Sequence, residues 1–204
     1  MNRKTKTENC CRVVLEGNLV RYLPMVKLND QITLAAFNSM GDTQLILKVG
    51  DNLNYQILEK IGYDEYANIS CIITTECKGI PFAMRLGQLM GIDFVVLRKD
   101  KKIYLENPEE FEGESITSGK SKYYLSETDA DKLKNSNVLI VDDVFSTGKT
   151  IDSILNVTNK LNCNVKGIAV AVTEGTENIT TYKDLPLFSC GKLPIFKNNK
   201  ERTK

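Results

Sequence analysis

From residue 51 onward the hydrophobic positions alternate between two rhythms. Leu53, Ile57, Leu58 and Ile61 recur at helical spacing behind Asp51, a residue type that caps helix starts. "ISCIITT" (69–75) is a short run of β-branched residues and predicts a buried strand. "PFAMRLGQLMG" (81–91) predicts a helix with Pro81 in its first turn and Gly91 at its end. "DFVVLRK" (93–99) predicts a second strand, and "ETDADKLK" (127–134) a short helix with Ser126 as cap. "NVLIVDD" (137–143) predicts a third strand, and Ile151, Ile154, Leu155, Thr158 and Leu161 mark one face of the helix after it. "VKGIAVAVT" (165–173) and "LPLFS" (185–189) predict two more strands. The strands are apolar along their length rather than at every second position, as in a parallel sheet covered on both faces by helices. The predicted fold class is therefore α/β.

The flanks are less regular. Within residues 12–49, "TLAAFNSMGDTQLILKV" predicts a short helix or strand, a turn at Gly41-Asp42, and then a strand. Residues 100–122 are polar, with two Gly and one Pro, and predict a long loop carrying a hairpin such as "ESITSGKSKYYLS". Residues 1–9 and 197–204 read as solvated tails.

Composition removes several function classes. The 27 basic and 26 acidic residues nearly cancel, which disfavours a chain that coats nucleic acid or an anionic membrane. No apolar run reaches the length that spans a bilayer, and "MNRKTKTENCCRVV" has no apolar core behind its basic start, so cytoplasm is the expected location. The six cysteines form no Cys-x-x-Cys pair and read as buried free thiols. Histidine is absent, which excludes Ser-His-Asp and Cys-His catalysis and any His-ligated metal.

Ligands of parallel sheets bind beyond the carboxyl ends of the strands. There the stretch "VLIVDDVFSTGKT" (138–150) ends like an ATP-binding P-loop. That motif needs glycine five residues before Gly148, and Asp143 stands there instead. A single phosphate still suits the loop: amides at the start of a helix, with hydroxyls from Ser146, Thr147 and Thr150, favour an anion. Asp142 and Asp143 repel phosphate but accept hydrogen bonds from a sugar diol, directly or through hydrated Mg²⁺. Together they describe a ribose 5-phosphate site.

The stretch closely resembles the 5-phosphoribosyl-1-diphosphate (PRPP) motif of type I phosphoribosyltransferases. "TTECKGIPFAMRLGQLMGIDFVVLRK" (74–99) resembles the pyrophosphate loop and following helix of the adenine and xanthine enzymes. The likeness runs from roughly residue 68 to 176. It implies a Rossmann-like core at 51–190 with a mobile hairpin at about 100–122, an N-terminal tail and hood at 1–50, and a C-terminal tail at 191–204. It implies a catalytic diacid, Asp142 and Asp143, also holding Mg²⁺ through water. Ser146, Thr147, Gly148, Lys149 and Thr150 would take the 5-phosphate. Glu76, Lys78, Gly79, Arg98, Lys99 and Lys102 would serve the diphosphate. Ser115, Thr117, Ser118 and Lys120 would ride on the closing hairpin.

The implied reaction is purine salvage: displacement of diphosphate from ribose C1 of PRPP by a purine, adenine ahead of xanthine, in a homodimer without membrane or nucleic-acid partners. One departure stands out. Adenine-specific relatives carry a glutamate in the closing hairpin, and "SITSGKSKYYL" has no acid. The alternative is a PRPP-sensing regulatory protein without catalysis.

Overall fold

A computed structural model describes residues 9–105, 107–113, 121–175 and 179–197. The elements run β1 (Cys10–Leu15), β2 (Leu19–Lys27), β3 (Ile32–Ala35), α1 (Thr43–Ile61), α2 (Tyr63–Ala67), β4 (Cys71–Thr75), α3 (Ile80–Met90) and β5 (Asp93–Leu97). They continue with β6 (Glu109–Gly113), β7 (Ser121–Leu125), α4 (Glu127–Leu133), β8 (Asn137–Phe145), α5 (Lys149–Lys160) and β9 (Asn164–Glu174). The chain closes with β10 (Thr181–Tyr182), β11 (Leu185–Ser189), β12 (Lys192–Leu193) and β13 (Ile195–Lys197).

The central sheet has the order β10-β11-β9-β8-β4-β5, with β12 also pairing β9. All pairs are parallel except β10–β11. The unbroken apolar runs are explained by cover on both faces. Leu139 and Val141 point to one core with α1 and α3, whereas Val138 and Ile140 point to the other with α4 and α5. This is the α/β arrangement predicted from the pattern of strands.

The start of the chain is an antiparallel sheet, β1-β2-β3-β13. Its inner residues Val13, Leu15, Leu19 and Leu23 join the core with α1. Residues 192–193 and 195–197, expected within a tail, form strands: β12 extends the main sheet and β13 seals the N-terminal one.

Two expectations near α1 need correction. "QLILKV" is helical, not a strand: α1 begins at Thr43, capped by the Asp42 carboxylate, which accepts the Leu45 amide at 3.0 Å. Asp51 lies inside this helix and caps nothing. The run looked strand-like because three apolar residues are consecutive, but only Leu45 is buried, in series with Val49, Leu53 and Ile57. Gly50 does not end the helix. A Cβ there would meet Arg85 Cγ at 2.4 Å, so glycine lets α3 cross close to α1.

Candidate active site

The main sheet opens where its topology reverses. β4 pairs β8 through Cys71–Val138, Ile72–Leu139 and Ile73–Ile140, and then stops. Thr74 and Thr75 go on pairing with β5 only, while β8 goes on beside β9 as far as Phe145. A cavity of about 510 Å³ lies over the parted strand ends. Its walls come from five places: the passage from the end of β4 to the start of α3 (Thr75 to Lys78 and Ile80), Arg98 and Lys99 after β5, Tyr123 on β7, Asp142 and Asp143 on β8, and Thr150 on α5.

Asp142 and Asp143 lie inside β8, as the predicted strand 137–143 has them, and the strand runs on two residues further to Phe145. Both are buried, at 6% and 8% exposure. The Asp143 amide donates to Asp142 Oδ1 at 2.9 Å. Burial, then the neighbouring Asp143 charge, push the Asp142 carboxyl up to about 7, although Lys78 and the Asp143 amide oppose them. Lys78 Nζ lies 3.0 Å from Asp143 Oδ2, an ion pair without hydrogen-bond geometry, and also donates to the Phe37 carbonyl at 3.5 Å.

The loop Glu76–Gly79 approaches the diacid closely. A Cβ on Gly79 would stand 2.3 Å from Thr74 Oγ1 and 3.2 Å from Asp142 Cα. Glu76 turns the other way: its carboxylate accepts Arg98 Nη1 at 2.9 Å and the Lys99 amide at 3.2 Å. Partial burial would raise the Glu76 pKa, but Arg98 and the Lys99 amide outweigh it and hold the carboxyl below its usual range. Cys77, expected to be a buried thiol, is exposed on this loop, whereas Cys71 and Cys190 are buried.

The six residues expected around a diphosphate thus divide. Glu76, Lys78, Arg98 and Lys99 line the cavity, while Gly79 is not in its wall but lies close against Thr74 and Asp142. Lys102 is not in the wall; its ammonium pairs with Asp100 at 3.1 Å, although its charge still lowers the Glu76 pKa. On the other side, Ser146 and Thr147 form the turn between β8 and α5, Gly148 caps the helix with φ 80°, and Lys149 is its first residue. Thr150 faces the cavity from the first turn of α5.

β6 and β7 form an antiparallel hairpin whose rising arm begins earlier than expected, at Glu109. Its base is tied to β5 by reciprocal amide–carbonyl bonds between Arg98 and Tyr124, at 3.0 and 2.8 Å. Ser115, Thr117, Ser118 and Lys120 lie outside the described residues. Tyr123, missed in the sequence, is buried against the cavity; its only signal was strand alternation in "KYYL".

Among the described residues no group of three or more acidic, Cys or His side chains could enclose a metal ion. Two adjacent carboxylates, one with an oxygen free of hydrogen bonds, suit a Mg²⁺ ion that arrives on a diphosphate and keeps most of its waters. Among those residues no helix is long and apolar enough to cross a membrane.

A family model of the phosphoribosyl transferase domain matches residues 38–196. The purine biosynthesis transcriptional repressor PurR of Bacillus subtilis is 33% identical over 145 residues, 68% of this chain and 46% of the repressor. The hypoxanthine/guanine phosphoribosyltransferase of Methanothermus fervidus is 33% identical over 137 residues, 67% of this chain and 65% of the enzyme. The chain therefore spans between about half and two thirds of these relatives. The solved adenine phosphoribosyltransferase of Rhodothermus marinus superposes with a TM-score of 0.59 at 16% identity, covering 89% of this chain and 92% of that one, and shares the fold.

Proposed function

The chain belongs to the phosphoribosyl transferase domain family, and from that premise we propose that it transfers the 5-phosphoribosyl group of PRPP to a purine. The products are a nucleoside monophosphate and diphosphate. The observation that carries this reading is the buried Asp142–Asp143 pair in a cavity whose wall also holds the cations Lys78, Arg98 and Lys99 and the Thr150 hydroxyl from the start of α5.

The 5-phosphate rests on the amides that open α5 and on the hydroxyls of Ser146, Thr147 and Thr150; Gly148 and Lys149 contribute backbone. Asp142 and Asp143 accept hydrogen bonds from the ribose diol and orient C1. The diphosphate lies between Lys78 with the Gly79 amide and Arg98 with Lys99, while Lys102 adds charge from outside the wall. Glu76 aims Arg98. Lys78 exchanges Asp143 for the diphosphate when substrate arrives, so the free diacid is not left uncompensated.

A purine ring nitrogen then bonds to C1 as the C1–oxygen bond to diphosphate breaks. The electron pair of that bond leaves on the diphosphate, and the ring N–H proton is released. Asp142 and Asp143 would hold a Mg²⁺ ion through water, and its chemistry is neutralisation of charge on the leaving group. No protein nucleophile is required, in keeping with a chain that has no histidine.

Adenine is proposed first as acceptor and xanthine second, with a homodimer in the cytoplasm as the working form. The hood face that exposes Val14, Tyr22 and Val26 supports self-association. The test is diphosphate release from PRPP and Mg²⁺ with each purine in turn. Turnover with hypoxanthine or guanine alone overturns the adenine assignment. A second reading, PRPP sensing without catalysis, is favoured by one observation, the 33% identity to a repressor. Tight PRPP binding with no turnover on any base selects it.

A further inference from the structure

The short hairpin before β11 packs against the loop that the proposed function assigns to the 5-phosphate. β10 and β11 pair as Thr181–Pro186 and Tyr182–Leu185, leaving a two-residue turn, Lys183-Asp184. Both turn residues have positive φ, 49° and 65°. Such turns are ordinarily made by Asn-Gly or Asp-Gly, because side chains resist this region. Neither residue here is glycine, so the turn keeps a conformation its own sequence disfavours, and its contacts hold it there.

Those contacts converge on one loop. The Tyr182 ring packs edge-on against Phe145, the last residue of β8, with centroids 5.0 Å apart. Its hydroxyl stands where a Cβ on Gly148 would be, 2.4 Å from that position. The same hydroxyl donates to Asp152 Oδ1 at 2.9 Å in the first turn of α5, and Lys183 Nζ pairs with that oxygen at 2.6 Å. One side chain therefore touches the residue that enters the Ser146–Thr147 turn, the residue that leaves it, and the helix that follows. Lys183 and the phenol also offset a carboxylate that would otherwise repel an anion at the helix start.

We propose that Tyr182 is a positioning residue for the 5-phosphate loop: it fixes the amides of Gly148 to Thr150 and, with Lys183, neutralises Asp152 beside them. This rests on the phosphoribosyl-transfer reading. The test is calorimetric titration of wild type, Tyr182→Phe and Lys183→Met with ribose 5-phosphate and, separately, inorganic pyrophosphate, alongside steady-state kinetics. Loss of the phenol's hydrogen bond, or of the ammonium that offsets Asp152, is expected to weaken ribose 5-phosphate about five- to tenfold and to raise KM for PRPP similarly. kcat, pyrophosphate affinity and melting temperature are expected to stay near wild type. A purely structural role would weaken both ligands together, and that result overturns the proposal, as does unchanged ribose 5-phosphate affinity in both variants. If the wild-type protein binds pyrophosphate but not ribose 5-phosphate or PRPP, the phosphoribosyl reading itself fails and the brace falls with it.

Discussion

Replacing Gly79 by alanine tests how tightly the Glu76–Gly79 loop is fitted to the diacid. Gly79 has φ −72° and ψ −24°, a conformation any residue adopts, so the change adds no backbone strain. The cost is steric. The new methyl would lie 2.3 Å from Thr74 Oγ1, 3.1 Å from Asp142 Oδ1 and 3.2 Å from Asp142 Cα. Unstrained contacts stand at about 3.5 Å, so the loop and β4 must separate by roughly 1 Å. Thr74 is fully buried and Asp142 Cα is strand backbone, so neither yields easily. Overpacking of this kind costs about 1–3 kcal/mol. In a chain of this length that lowers the melting temperature by roughly 2–12 °C. Displacing Glu76 and Lys78 by such a distance is expected to cut turnover by about tenfold or more. Thr74 Oγ1 has no hydrogen-bond partner, so Thr74→Ala removes the closest obstacle without breaking a bond. In that background Gly79→Ala should cost markedly less, read as a double-mutant cycle by thermal denaturation and diphosphate release. Unchanged melting and turnover in Gly79→Ala, or an equal penalty in both backgrounds, would refute the packing argument.

Three further outcomes follow from the charges. The folded pKa of Asp142, about 7, lies above its ordinary 3.8, so between those values the folded chain holds a proton that the unfolded chain has released. The associated stability is complete below about 4 and is lost as pH rises through about 7. Asp142→Asn is neutral throughout; it should flatten this slope and melt above wild type at pH 8, while diphosphate release collapses. Lys78→Met removes a cation from Asp143 and from the proposed diphosphate site; KM for PRPP should rise on the order of tenfold in steady-state assays, and an unchanged KM would exclude Lys78 from the site. Glu76→Gln frees Arg98 and should weaken pyrophosphate about threefold to tenfold by calorimetry while sparing ribose 5-phosphate; equal loss for both ligands would count against an aiming role.

Much of the architecture was legible because the central strands carry the pattern of double-sided burial. Val138 to Val141 and Ile168 to Val172 are buried whichever way they point, and only a covered parallel sheet asks for that. The diacid was legible for a related reason: two carboxylates directly after such a run have no place in an ordinary core. The N-terminal sheet was not, because a one-sided antiparallel sheet alternates weakly in "LVRYLPMVK", where Tyr22, Pro24 and Val26 face outward. α1 was misjudged at its start because "LIL" satisfies strand and helix patterns alike, and only tertiary contact shows that Leu47 is exposed. β13 was invisible because its partner, β3, lies far away in the sequence. Tyr182 was missed for the same reason: nothing near it in sequence shows that a tyrosine will replace the missing side chain of Gly148.

The most direct measurement is a calorimetric titration of PRPP with Mg²⁺ into the wild-type protein and into the Asp142→Asn/Asp143→Asn double variant. If the buried pair holds the ribose diol, the wild-type protein binds PRPP and the variant loses at least about tenfold in affinity while remaining folded by circular dichroism. Equal affinity for PRPP in the two proteins would contradict that assignment.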